Sequence, residues 1–435
     1  KAVGYGGERP QQYDNFIELK QAAEKEELLQ LTDHSNPTVR CYAFWALTFD
    51  PTVELYPIVL DHLSDEQSVT TQLGCIRGGK PVGDFFLDKA TPFIDEIAPN
   101  KLDTFQLAAI DSILIHRPSK LFARAEAIER AKTTESMYTV IRMLVLEEKN
   151  EEALVKLASY KRDQDVKVIL SFRDASNSGD GDVFFTYKAI NQFPHPDFFP
   201  FLEANLRNTF DKTHYNHHWQ ELYRAIAKYK NNKSVALLYL PLSKVQDKYI
   251  REYHMDYLSQ ALSEVRAPIY NDLLWKLWEE EYRITLDGFE CLSNIDSTRA
   301  FELTRESLMN LYQLSMQRDS HDSLVHRMLE WIVSKEYEMG LEIIGTNIRN
   351  ANITYFSIFT DKAAALKEPS LVEPLFDRFS RESNGHIYLP IAEALLAYGD
   401  AGITKLMHKT RTNNKELNVG WGGKSLDRLL EENNK

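Results

Sequence analysis

The sequence predicts an all-α protein, a right-handed α/α superhelix built as a solenoid of antiparallel helix pairs, without a substantial sheet. Three observations carry this expectation. Apolar residues recur at helical spacing along most of the chain, and short polar breaks rich in Asp, Asn, Pro or Gly interrupt them. The resulting cadence repeats with a period in the thirties, the signature of stacked supersecondary units.

The opening Gly4-Tyr5-Gly6-Gly7 run is too flexible for an element. From Tyr13 the pattern turns helical, through Phe16, Leu19, Leu28, Leu29 and Leu31, and breaks at Asp33-His34-Ser35-Asn36-Pro37. Pro37 suits the first turn of the next helix, where an N–H would be unbonded anyway, with Ser35 or Asn36 as cap. That helix carries Val39, Cys41, Ala43, Trp45 and Leu47 and stops near Asp50-Pro51. Another begins near Thr52 and runs through Leu55, Val59 and Leu63 to the polar Ser64-Asp65-Glu66.

The strongest repeat pairs Tyr187-Lys188-Ala189-Ile190 with Tyr223-Arg224-Ala225-Ile226, 36 residues on; Phe193 and Tyr229 keep that register, as do Phe201-Leu202 and Leu237-Leu238. An earlier copy, Leu157 to Tyr160, aligns with Ile190 to Phe193 at an offset of 33. Ala365, Leu371 and Leu375 match Ala397, Ile403 and Met407 at an offset of 32. Each copy is an apolar helix end, a polar break and a second apolar helix. One such hairpin cannot bury its own apolar face, so neighbours must stack.

Asn36-Pro37-Thr38-Val39-Arg40, followed by Ala43 and Leu47, resembles the start of the second helix in HEAT and armadillo-like repeats, with Arg40 at their usual basic position. The resemblance spans about residues 14–260 and 355–407 and is motif-specific over Asp33 to Leu47; Thr70 and Lys167 stand where later copies would carry the Arg. The chain is also similar to uncharacterised bacterial proteins of this type, which implies no activity. The expected organisation is HEAT-like repeats over 13–260, a less regular helical region continuous with the solenoid over 261–350, and C-terminal helical repeats over 351–430. Thr285 to Arg299, with Gly288, Asn294 and Asp296, reads as an irregular connection, and the polar tail from Val419 to Gly423 precedes a short helix at Leu426 to Leu430.

Composition narrows the function classes. The 435 residues carry 51 Lys+Arg against 64 Asp+Glu, a net charge of −13, so a long duplex-binding groove is disfavoured and nucleic acid is an unexpected partner. No stretch approaches the length of a transmembrane helix. The chain starts at Lys1, without Met, and is expected to be a soluble processed or trimmed product, cytoplasmic or exported after loss of a signal peptide; the oligomeric state is not encoded legibly. Cys41, Cys75 and Cys291 are too sparse for a disulfide framework, and Cys41 and Cys75 fall in helical apolar patterns expected to bury them.

Candidate chemistry is thin. His214, His217 and His218 stand at helical i, i+3 and i+4 spacing, which lets two imidazoles face one zinc ion with Asp211 or Glu221 as a third ligand. The competing reading is a polar connection entering the helix that holds Leu222 and Ile226. Neither Gly78-Gly79-Lys80-Pro81 nor Gly4 to Gly7 has the spacing of a phosphate loop, and Ser178-Gly179-Asp180-Gly181-Asp182 lacks the closing Glu of a calcium loop. No catalytic nucleophile can be nominated, and no cofactor is implied.

The remaining cue is aromatic. His195 is clamped between Pro194 and Pro196 in a rigid turn, expected on one edge of the stacked hairpins with the Lys161 to Asp165 turn and the Asn231-Asn232 turn. Phe198 and Phe199 differ between copies, so they are expected to stay outside the common packing and present aromatic surface. His195, Phe198 and Phe199 are therefore the expected binding residues of a non-enzymatic scaffold for a protein or peptide. The alternatives are a nucleic-acid-acting enzyme of the helical-repeat type, which needs a basic groove with a recessed acid, and a metal-dependent hydrolase using the histidine cluster.

Overall fold

The computed structural model describes residues 9–92, 98–174, 183–314 and 318–432, and helices account for most of them. Gly4 to Gly7 and Ser178 to Asp182 lie outside the described residues. Helix packing divides the chain into two compact units, Lys1–His195 and Pro196–Lys435. No helix among the described residues is long and apolar enough to cross a membrane.

In the first unit, every second helix forms one layer: Pro37–Leu47 packs on Val82–Ala90, which packs on Phe122–Arg130, then Glu151–Ala158 and Phe184–Gln192. The helices between them, such as Thr104–His116 and Glu135–Glu147, close each hairpin. Alternate stacking of this kind is what a unit with one unburied apolar face requires. Local chemistry sets the starts: the Asn36 side chain accepts from Thr38 N (2.9 Å) and caps the Pro37 helix. Arg40 is buried, donating to the His34 carbonyl and pairing with Asp65 at 2.9 Å, so it ties one turn to the next.

The region after Glu66 departs from the helical expectation. Ser68–Leu73 and Ile76–Pro81 form an antiparallel hairpin, closed by Gly74 at φ +61° and Cys75. Cys75 is consequently exposed rather than buried, whereas Cys41 is buried, its thiol pushed up to about 12 by that burial. Val69, Thr70 and Thr71 are the reason: β-branched residues fit a pleated ribbon better than a helix.

The second unit runs the same scheme. One layer passes from Trp219–Ala227 to Lys248–Val265, Leu286–Ile295, Arg318–Lys335, Phe356–Leu366, Gly385–Ala397 and Gly420–Glu432. Its companion layer includes Ser297–Met309, Tyr337–Asn350, Val372–Arg381 and Ala401–Asn413. Thr285 to Arg299 is thus not an irregular connection. Thr285 caps Leu286–Ile295, Asp296 caps the next helix directly, and Asn294 stays helical by donating to the Glu290 carbonyl. The tail also differs, because the helix begins at Gly420. Gly423 is needed there: a Cβ would lie 2.5 Å from the Asn418 backbone.

The repeat phase is visible in burial. Tyr187, Ile190, Tyr223 and Ile226 all point inward, at 4% exposure or less.

Candidate functional site

The candidate residues lie on hairpin turns in each of the two units. In the first unit, His195 Nε2 is 3.9 Å from Asp163 Oδ1, and the imidazole sits 5.6 Å from the Phe193 ring. This places His195 beside the Lys161 to Asp165 turn, as the repeat register requires.

In the second unit, Pro196, Phe199, Tyr229, Asn231, Asn232 and Lys233 line a cleft of about 380 Å³. Phe199 stands edge-on to Tyr229 at 5.1 Å, and burial with the nearby Asp197 raises the Tyr229 pKa, keeping its phenol neutral at physiological pH. Lys230 adopts φ +49°, which turns the chain sharply after the Trp219 helix, and the Asn231 side chain accepts from Ser234 N at 3.0 Å to start the next. Asn232 and Lys233 are exposed. The cleft therefore offers an apolar aromatic base with an amide and an ammonium at hand, a set suited to a side chain and adjoining backbone of a bound peptide.

Phe198 has to be removed from the site. It is fully buried at 0% exposure, next to the half-buried Phe199. The repeat offsets of 33 and 36 residues put Asp165, Phe198 and Ser234 at one phase, and all three are buried. Asp165 is satisfied by the Tyr138 hydroxyl (2.8 Å) and Arg142 Nε (3.0 Å), while Ser234 lies 2.8 Å from the Tyr270 hydroxyl. Residue type varies there because each copy solves the same buried position with different chemistry, so variation did not mean exposure.

The three histidines are not on a helix. They lie in the connection before Trp219–Ala227, and among the described residues no three His, Cys, Asp or Glu side chains converge to hold a metal. His217 stands edge-on to Tyr215 at 5.0 Å with Nδ1 3.4 Å from the Tyr257 hydroxyl, and His214 Nδ1 is 3.0 Å from Thr213 Oγ1. His218 occupies the N-cap position of the helix.

Sequence reasoning overlooked this aromatic cluster. Tyr215 lies flat on Tyr253 at 3.8 Å, flanked by Tyr249, and clamps the connection to Lys248–Val265. Tyr249, Tyr253 and Tyr257 at four-residue steps were the available signal. Beneath them His254 is fully buried, stacked 4.7 Å from Trp219 with Nδ1 2.6 Å from the Tyr223 hydroxyl. Burial pushes its pKa down to about 4, against a weaker upward pull from the Thr209 backbone.

No protein-family model matches the chain. A search of curated proteins found no match.

Proposed function

We propose that the chain is a non-enzymatic helical-repeat module of the HEAT/armadillo type that holds a protein or peptide partner at its turn edge. The observation that carries this reading is the cleft over Phe199 and Tyr229, an aromatic base beside the exposed Asn232 and Lys233. Partner contacts concentrate on aromatic anchors in pockets rimmed by polar groups, and this cleft has that composition. Stacked hairpins supply the rigid backing such an anchor needs.

Selection of a random peptide display library on the folded chain tests the proposal. Enriched peptides should bind with micromolar affinity and lose about tenfold or more on Phe199→Ala, roughly the cost of one interface anchor. Failure to enrich any peptide, or enrichment of peptides indifferent to Phe199→Ala and to Asn232→Trp, would overturn it.

A further inference from the structure

The first unit contains a second cavity, of about 390 Å³, enclosed by Val82–Ala90, Thr104–His116 and Phe122–Arg130 with Lys80 at its border. Its floor is apolar, from Leu87, Leu107 and Leu114. Its charges are unequal: four carboxylates line it (Asp84, Asp88, Asp111 and Glu126) against two cations (Lys80 and Arg130), so 2 − 4 leaves a surplus of −2.

The cations are already committed. Lys80 pairs with Asp88. Arg130 is gripped by Asp111 through two bonds, Nε to Oδ2 at 3.0 Å and Nη2 to Oδ1 at 2.8 Å. Its remaining terminal nitrogen meets Glu126 at 3.1 Å, so two carboxylates share one guanidinium. Asp84, at the buried end, accepts from Phe122 N (2.8 Å) and Ala123 N (2.9 Å) and serves the start of that helix. A recessed acid is what a nucleic-acid enzyme would need, but the acid surplus repels phosphate rather than attracting it.

The geometry points to a binding site for a small organic cation with an apolar body: an aryl- or alkylammonium whose hydrocarbon covers the leucine floor and whose ammonium joins Asp111 and Glu126. The volume suits a compact ligand, since small-molecule pockets begin at about 300 Å³. A single added positive charge relieves the crowding of two carboxylates on one arginine, and neither a neutral nor an anionic isostere does so. This site is independent of the turn-edge cleft.

Thermal melts and isothermal titration with the full chain test it, using tryptamine, phenethylamine and hexylamine beside indole-3-propionate and 3-ethylindole. The ammonium probes should raise Tm by about 2 °C or more at millimolar concentration, the anion should not, and added salt should weaken the effect. Asp111→Asn with Glu126→Gln should abolish the rise. Ala108→Trp, at an exposed position lining the cavity, should block it while leaving the ligand-free melt unchanged. No rise with any ammonium probe, an equal rise with indole-3-propionate, or a rise that survives Ala108→Trp would overturn the assignment.

Discussion

The turn after Tyr160 and the turn after Tyr229 stand at one phase of the repeat and are finished in opposite ways. Both use a lysine at positive φ, Lys161 at 54° and Lys230 at 49°. In the first, Arg162 lies 3.7 Å over the Tyr138 ring and pairs with Glu135, while Asp165 is locked below by Tyr138 and Arg142. In the second, the phase of Arg162 is held by Asn231, whose short side chain is spent on the cap, and the cleft lies beside it. The backbone repeat sets where a turn is; the side chains decide whether it is filled or open. Binding is expected at the open one.

The largest effect that sharpens this contrast comes from Phe198→Ala. It empties a fully buried position and should cost about 3–5 kcal/mol in a urea titration. A cost no larger than that of Phe199→Ala would mean the two phenylalanines are not divided between core and edge. Next, Asp165→Ala strands the buried Tyr138 hydroxyl and removes the partner of the half-buried Arg142 in the filled turn. It should cost about 2–4 kcal/mol, chiefly from groups left unpaired, and Asp165→Asn should recover part of it.

Acid should separate the regions as well. His254, in the second unit, has a folded pKa near 4, below its ordinary 6.5, so the unfolded chain binds more protons between those values. Its contribution, about 3 kcal/mol, is complete above pH 6.5 and is lost as pH falls toward 4. Melts from pH 8 to 4 should show this slope, and His254→Phe should flatten it. An unchanged slope in that variant would place the acid sensitivity elsewhere.

How much of this was legible follows from which signals repeat. Tyr187 and Tyr223, or the Asn36 cap, announce themselves because spacing and residue type agree. Phe198 misled because its phase is constant while its chemistry changes from carboxylate to phenyl to hydroxyl, and hydrogen-bond partners such as Tyr138 and Tyr270 lie far away in sequence. The hairpin at Ser68–Pro81 was masked by a helical cadence on both sides, although Val69, Thr70 and Thr71 favoured a strand. His217 looked like a ligand because one of its tyrosine partners, Tyr257, comes from a helix 40 residues further along the chain.

The smallest expected effects lie in the turns themselves. Lys161→Gly and Lys230→Gly each remove a left-handed conformation from a side-chain-bearing residue, at the expense of a more flexible unfolded chain. Each should change stability by no more than about 1 kcal/mol, and by similar amounts if the two turns share a backbone plan. Clearly unequal shifts would show that they do not.

The most direct test of the account is a titration of one display-selected peptide against wild type, Phe199→Ala and Ala108→Trp, with a thermal melt of each protein. Phe199→Ala should lose about tenfold in affinity while Tm falls by no more than a few degrees, and Ala108→Trp should bind as wild type does. Undiminished affinity in Phe199→Ala would contradict the claim that the open turn is the binding edge, and so would a collapse in Tm matching that of Phe198→Ala.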